Sequence, residues 1–446
     1  MKTVKDIMQE SPGFRFVIGE LKILSPAGRS RLLQQPFWVS ENEIQAELDL
    51  VDKLSPMLEK TDFSALSQLR DIHGTLSRLA AGAALDDIEL FEIKHVAILS
   101  GQLRQACASA IGIPALEEVV RILDPEGQGI PHFYIYSAYS PQLAEVRRLI
   151  KSGVEELREK EQELEAAIRE DLSRQLYPWS DALQNALAAL AHLDVLQAKA
   201  RQALEMGLSK PLISRRETRY EGLFNPAVKA FLEKENKRYQ PVDIALQEAP
   251  VLVTGANMGG KTVLLKTLYL AQCLFQTGFF VPARAAAIAP VEEVMLSQTE
   301  NQAEWNGLSS FAWEMTRLGR IIAAVRQGKS ILALIDELAR TTSPGEGQAI
   351  VQATLDILQE KGVRAVVTTH YTGIESPCRK LRIKGLKTDQ IEGRIRFEQL
   401  NELMDYSLVE AEQAGGASEA FRIAEIIGID AELIEKAKKY FSICPN

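Results

Sequence analysis

The chain has 446 residues, 46% hydrophobic and 25% charged, the composition of a folded globular protein with enough apolar material for a large core. A net charge of −9 excludes a surface that is basic throughout, so any contact with nucleic acid has to come from a local patch of Lys and Arg. Length alone suggests two or three domains.

The cysteines Cys107, Cys273, Cys378 and Cys444 lie far apart without a C-x-x-C pair, which suggests neither a disulfide framework nor a zinc site. The opening MKTVKDIMQESPGFRF lacks the apolar core of a signal peptide. No apolar run approaches the ~18 residues that span a bilayer. A cytoplasmic protein without a membrane partner is the expectation.

From about residue 25 to 125 apolar residues recur at helical spacing, as in Leu48, Val51 and Leu54, then Leu66, Leu69, Ile72 and Leu76. Residues 127–141, GQGIPHFYIYSAYSP, change texture to Gly, Pro and aromatics and predict a loop with a short strand. The charged stretch that follows carries Val154, Leu157, Leu164, Ile168 and Leu172 on one stripe and predicts a long solvent-lined helix. YPW at 177–179 then interrupts it, because Pro178 has no amide hydrogen for a helix interior. The Ala- and Leu-rich run beyond predicts a second helix. Together the two suggest an antiparallel hairpin, with one kinked helix inside a bundle as the alternative.

After residue 210 short apolar runs alternate with helical stretches. APVLV (249–253), ILALI (331–335) and VRAVVTT (363–369) are continuous rather than alternating, as strands of a parallel sheet covered on both faces are. The expected fold class is α + α/β: a helical unit over 1–208, then an α/β unit over 209–446.

The chemistry begins at VTGANMGGKT. Gly255, Gly260, Lys261 and Thr262 match G-x-x-x-x-G-K-[ST] between an apolar strand and a helical run. Glycines let backbone amides wrap phosphates, and the helix N-terminus adds positive potential. Lys261 would bridge the outer phosphates of a nucleotide, and Thr262 would ligate Mg²⁺. ILALIDELAR places Asp336 and Glu337 at a strand end, the first to hold the metal and the second to orient or deprotonate the attacking water. VVTTHY puts His370 at another strand tip, where it could hydrogen-bond the γ-phosphate or the water. In LSSFAWEM (308–315) the hydroxyls could donate to a phosphate, or Ser309 could simply cap the helix that follows.

TGANMGGKT, SSFAWEM, IDELARTTS and TTHY, in this order, resemble the ATPase domain of the MutS family over at least residues 215–440. GGASEAFRIAEIIGIDAELIEKAKK is similar to that family's helical dimerisation tail. The N-terminal half resembles its helical core and lever, most of all in paralogues without a mismatch-reading domain. The resemblance implies a P-loop, ABC-like ATPase that uses ATP and Mg²⁺ in composite sites of a dimer with itself or a related subunit. Ser309 would then reach the γ-phosphate bound by the partner subunit. Gly255, Asn257, Gly259, Gly260, Lys261, Thr262 and Val263 would hold the nucleotide. Tyr239 in RYQPVDI would stack on adenine, although a plain core or surface aromatic is its alternative.

Departures narrow the expectation. Only YPW joins the two lever helices where the family inserts its DNA clamp, and the expectation is a protein with neither the mismatch-reading module before the core nor a nuclease-like appendix after it. The family's GRGTS stands here as ARTTS (339–343), with Ala339 and Thr341 in place of glycines. The implied role is DNA binding in mismatch repair or recombination. The alternative is a protein-remodelling ATPase without DNA, like the proposed reactivators of cobalamin-dependent aminomutases, with a metabolic enzyme as partner.

Overall fold

The computed structural model describes residues 2–108, 110–129, 132–255, 260–297, 310–387, 403–411 and 419–443. The N-terminal part is helical: α1 (Val4–Glu10), α2 (Pro12–Gly19), α3 (Pro26–Gln34), α4 (Glu41–Leu54), α5 (His73–Ala80), α6 (Asp87–Cys107), α7 (Glu117–Leu123), α8 (Pro141–Lys151), α9 (Arg158–Leu176) and α10 (Ser180–Met206). Its start signals are local. Ser11, Ser25 and Ser140 each precede a proline and accept the backbone N–H three residues on, so α2, α3 and α8 begin with a side-chain cap and a pre-set φ.

Two expectations need correction here. No strand forms among the described residues of 127–141, where the chain runs through an irregular segment and a 3-10 turn at Ser137–Tyr139. Nor does the chain reverse at YPW. Leu176, Tyr177 and Ser180 keep right-handed helical dihedrals, and α9 passes through one 3-10 turn directly into α10. Pro178 stands in the first turn of that segment, where its missing N–H breaks no hydrogen bond. The reversal lies upstream, between α8 and α9, where Gly153 takes φ +103, a backbone region that disfavours any side chain. Arg147 of α8 then reaches Glu161 at 2.8 Å and Glu165 at 2.7 Å on α9.

α10 is buried along most of its length and packs on α3, α4, α5 and α6, which explains why Ala and Leu occupy more than one stripe of it.

The rest is α/β: β1 (Leu212–Ile213), β2 (Thr218–Leu223), α11 (Pro226–Lys234), β3 (Val242–Leu246), β4 (Pro250–Thr254), α12 (Lys261–Gln276), β5 (Ala285–Ile288), β6 (Glu293–Ser297), α13 (Ser310–Arg326), β7 (Ile331–Ile335), α14 (Pro344–Glu360), β8 (Arg364–Thr368), β9 (Arg379–Leu386), β10 (Met404–Glu410), α15 (Glu419–Ile426) and α16 (Ala431–Ile443). A small mixed sheet has the order β1-β5-β2-β3, and a larger one β10-β9-β4-β8-β7-β6. In the larger sheet β6, β7, β8, β4 and β9 are parallel, and β10 returns antiparallel at the edge.

Successive residues of its central strands face different cores. Val251, Val253, Leu332, Leu334 and Val366 join the cluster that runs on into the helical part. Leu252, Ala333, Ile335, Ala365 and Val367 join a second cluster with α13 and α14. Burial on both faces is why these strands read as unbroken apolar runs.

The helical part grips the C-terminal end of α12. Gln35 Nε2 donates to Thr277 O at 2.7 Å, and the Trp38 N–H donates to Gln276 O at 2.8 Å. From α10, Lys199 Nζ donates to Thr277 O at 3.1 Å and to Glu47 Oε1 at 2.7 Å. A cation at the carbonyl end of a helix matches its dipole. Gly278 (φ +68) follows, and a Cβ there would sit 2.3 Å from Glu47 Cγ. No described helix is long and apolar enough to cross a membrane.

Candidate functional site

Because β4, β8 and β7 are parallel neighbours, their C-terminal ends open on one edge of the sheet, the place where α/β folds present ligand-binding residues. That edge brings together Gly255 after β4, Asp336 and Glu337 after β7, and Thr368 with His370 at β8. α12 starts there with Gly260 (φ +80) as its N-cap, aiming its free amides and dipole into the same space.

Lys261 is buried, and its Nζ donates to Gly255 O at 2.7 Å. Thr262 Oγ1 donates to Asp336 Oδ2 at 2.7 Å, and Thr368 Oγ1 donates to Asp336 Oδ1 at 2.8 Å. Thr368 Oγ1 also accepts the Glu337 N–H at 2.8 Å. The Asp336 carboxylate is therefore oriented by two hydroxyls, with no cation in ion-pair distance among the described residues. Glu337 takes φ +45, and its Oε2 lies 2.5 Å from Arg340 Nη1.

The ARTTS segment is pinned from two sides. Ala339 has φ +63, a left-handed conformation in which glycine carries no strain. Its N–H donates to Glu314 on α13, and its carbonyl accepts the Tyr371 hydroxyl at 2.7 Å. Thr341 Oγ1 donates to Glu314 Oε2 at 3.2 Å. Burial pushes the Glu314 carboxyl above its usual range, against these two hydrogen bonds.

His370 is exposed at the tip of β8, its ring 4.2 Å from that of Tyr371. Desolvation lowers its pKa; Glu337 opposes this, while Lys261 and Arg340 add to it. These effects together favour the neutral imidazole, which can donate from one nitrogen.

Beside Gly260 a cavity of about 850 Å³ is walled by Tyr239, Val263, Thr267, Phe231 and Tyr406. Tyr239 is oriented by its hydroxyl, which accepts the Asn225 N–H at 3.1 Å. Gln240 Nε2 donates to Asp405 Oδ1 at 2.8 Å, tying the loop before β3 to β10.

Of the expected residues, Gly255, Gly260, Lys261, Thr262, Asp336, Glu337 and His370 thus share one edge, and Val263 and Tyr239 line the adjoining cavity. Asn257, Gly259 and Ser309 lie outside the described residues. Sequence reasoning missed Thr368, Arg340, Glu314 and Tyr406. Thr368, Arg340 and Glu314 stood within the quoted VVTTHY, IDELAR and LSSFAWEM runs without a role assigned to them, and Tyr406 carries no short-range signal.

Residues 251–443 match MutS domain V, the ATPase domain of the MutS family. The chain is 33% identical over 291 residues to an Endonuclease MutS2 of Thermus thermophilus, covering 65% of this chain and 36% of that protein. It is 30% identical over 280 residues to the Lactiplantibacillus plantarum Endonuclease MutS2, covering 62% and 34%. To that of Geobacillus thermodenitrificans it is 26% identical over 493 residues, covering 89% and 60%. The chain thus matches between about a third and three-fifths of the length of these relatives. Residues 251–443 thus carry a MutS domain V whose motifs gather on one sheet edge.

Proposed function

We propose that the chain binds ATP with Mg²⁺ at the edge formed by Gly255, Lys261, Asp336 and Glu337, and hydrolyses it. The observation that carries this is the Thr262–Asp336–Thr368–Glu337 hydrogen-bond chain, which sets a hydroxyl, a metal-binding acid and a candidate base in fixed relation. Thr262 and Asp336 fit a magnesium ion, which is commonly held by one or two protein oxygens with the rest from phosphates and water. When bound, magnesium neutralises charge on the phosphate oxygens.

The remaining chemistry is the protein's. Lys261 neutralises the outer phosphates, α12 offers its N-terminal amides, and Glu337 accepts the proton of a water attacking the γ-phosphorus while the bond to ADP breaks. Neutral His370 donates to the γ-phosphate or that water. Tyr239 stacks on the base in the adjoining cavity. Arg340 holds the Glu337 carboxylate and so governs when it faces the water. Glu337→Gln should lower phosphate release by about 10²–10⁴-fold while preserving ATP binding; unchanged release would refute the assignment.

The dimer, with Ser309 completing the partner's site, and the division into a helical unit over 1–208 and an ATPase unit over 209–446 belong to the same reading. DNA processing is the favoured role, by analogy with the family. Salt-sensitive binding of mismatched, branched or single-stranded DNA at low ionic strength tests it. A protein-remodelling role is the second reading, favoured by the net charge of −9. ATP-dependent change in a co-purifying enzyme's activity, with no DNA bound, would select it.

A further inference from the structure

The helical part holds a second cavity, of about 520 Å³, remote in chemistry from the nucleotide edge. Ser30, Arg31 and Gln34 of α3, Trp38, Glu47 of α4 and His192 of α10 line it. Its acidic floor is electrically closed. Glu47 is 5% exposed, with Lys199 Nζ 2.7 Å from one oxygen and His192 Nε2 2.8 Å from the other. Asp71 on the rim is likewise engaged, by His73 Nδ1 at 2.5 Å.

Arg31 is the exception. It has no carboxylate within ion-pair distance among the described residues, and desolvation by the surrounding walls lowers its pKa, with only the more distant Glu47 opposing. The exposed Arg31 guanidinium at this cavity, with no carboxylate on it, presents a planar fork that matches a carboxylate or phosphate. Ser30 stands one residue before it, accepting from Gln34 Nε2 at 3.2 Å and leaving its own hydrogen to donate. Trp38, Pro36 and Ala188 supply an apolar wall, so the cavity combines one anchoring charge with a hydrophobic body, as small-molecule sites do.

We propose that this cavity binds a small molecule bearing a carboxylate or phosphate, anchored by Arg31, assisted by Ser30 and packed against Trp38. Repulsion from Glu47 is reduced because Lys199 pairs with one of its oxygens and His192 Nε2 hydrogen-bonds the other.

Calorimetric titration of the full chain at low ionic strength tests this, with inorganic phosphate and citrate in separate arms. Both arms are run with ADP and Mg²⁺ saturating, and again in a Lys261→Ala background, so that phosphate bound at the glycine-rich loop is not mistaken for the new site. Saturable binding of at least one anion is expected in both backgrounds. Phosphate alone assigns a phosphoryl ligand, and citrate alone a carboxylate.

Arg31→Gln should weaken binding about tenfold or more, because a charge-assisted bidentate contact is lost. Ala188→Phe, which narrows the mouth without changing charge, should also weaken it. Both positions are exposed, and unchanged melting of the variants separates lost binding from lost fold. Failure of both anions to bind the parent chain, or binding by Arg31→Gln and Ala188→Phe as tight as the parent's, would overturn the proposal.

Discussion

Glu47 and Asp336 are both buried acids, held in opposite ways. Glu47 has a cation or a histidine on each oxygen, and Lys199 in turn reaches the backbone carbonyl of Thr277. Burial would raise its pKa, yet Lys199 and His192 hold it down at about 2. Asp336 has a hydroxyl on each oxygen and, among the described residues, no cation in ion-pair distance. A hydroxyl orients a carboxylate without cancelling it. The first arrangement is complete within the chain and fastens two parts of the fold; the second leaves a negative charge available to an incoming cation.

The largest test of this contrast is Glu47→Gln. It leaves Lys199 buried without its counter-charge, and losing one partner of a buried pair costs about 3–5 kcal/mol. Denaturant melts should show that loss, and replacing Lys199 by Met in the same chain should recover much of it. The same carboxylate gives a pH signature. Its pKa is depressed on folding, so its contribution is present above the ordinary value of 4.5 and is lost as pH falls through about 2. Acid melts of the parent chain should steepen across that window, and those of Glu47→Gln should not.

Asp336→Asn should do the reverse. It keeps an acceptor for a hydroxyl, so stability should change by less than about 1 kcal/mol, while ATP turnover should fall by about 10²-fold or more. A large loss of stability would show that Asp336 is a structural acid like Glu47. The smallest effect is expected at Ala339. Relief of about 1–2 kcal/mol of left-handed strain in Ala339→Gly is offset by loss of a buried methyl and a freer unfolded chain. Melts of Ala339→Gly should stay within about 1 kcal/mol of the parent, whereas Ala339→Val, branched at φ +63, should lose more.

The elements legible in the sequence are those whose cause is local. β4, β7 and β8 appeared as unbroken apolar runs because both faces are covered. The run through Lys261 and Thr262 appeared because its residue types are consecutive. What escaped depends on chain segments meeting in space. Nothing near Glu47 announces Lys199, and nothing near Ala339 announces Glu314. The lever reversal was misplaced for a different reason. Pro178 reads as a breaker, although a first-turn proline breaks nothing, while Gly153, the residue that permits the turn, stands inside a charged run.

The passage from α9 through one 3-10 turn into α10 makes a long helical spine that meets the end of α12 at Lys199. From there back to Arg158 the path is about 60 Å at 1.5 Å per residue. Because α3, α4, α5 and α6 clamp α10 along most of its length, a shift at Thr277 is shared by the packed helices rather than concentrated at one tip.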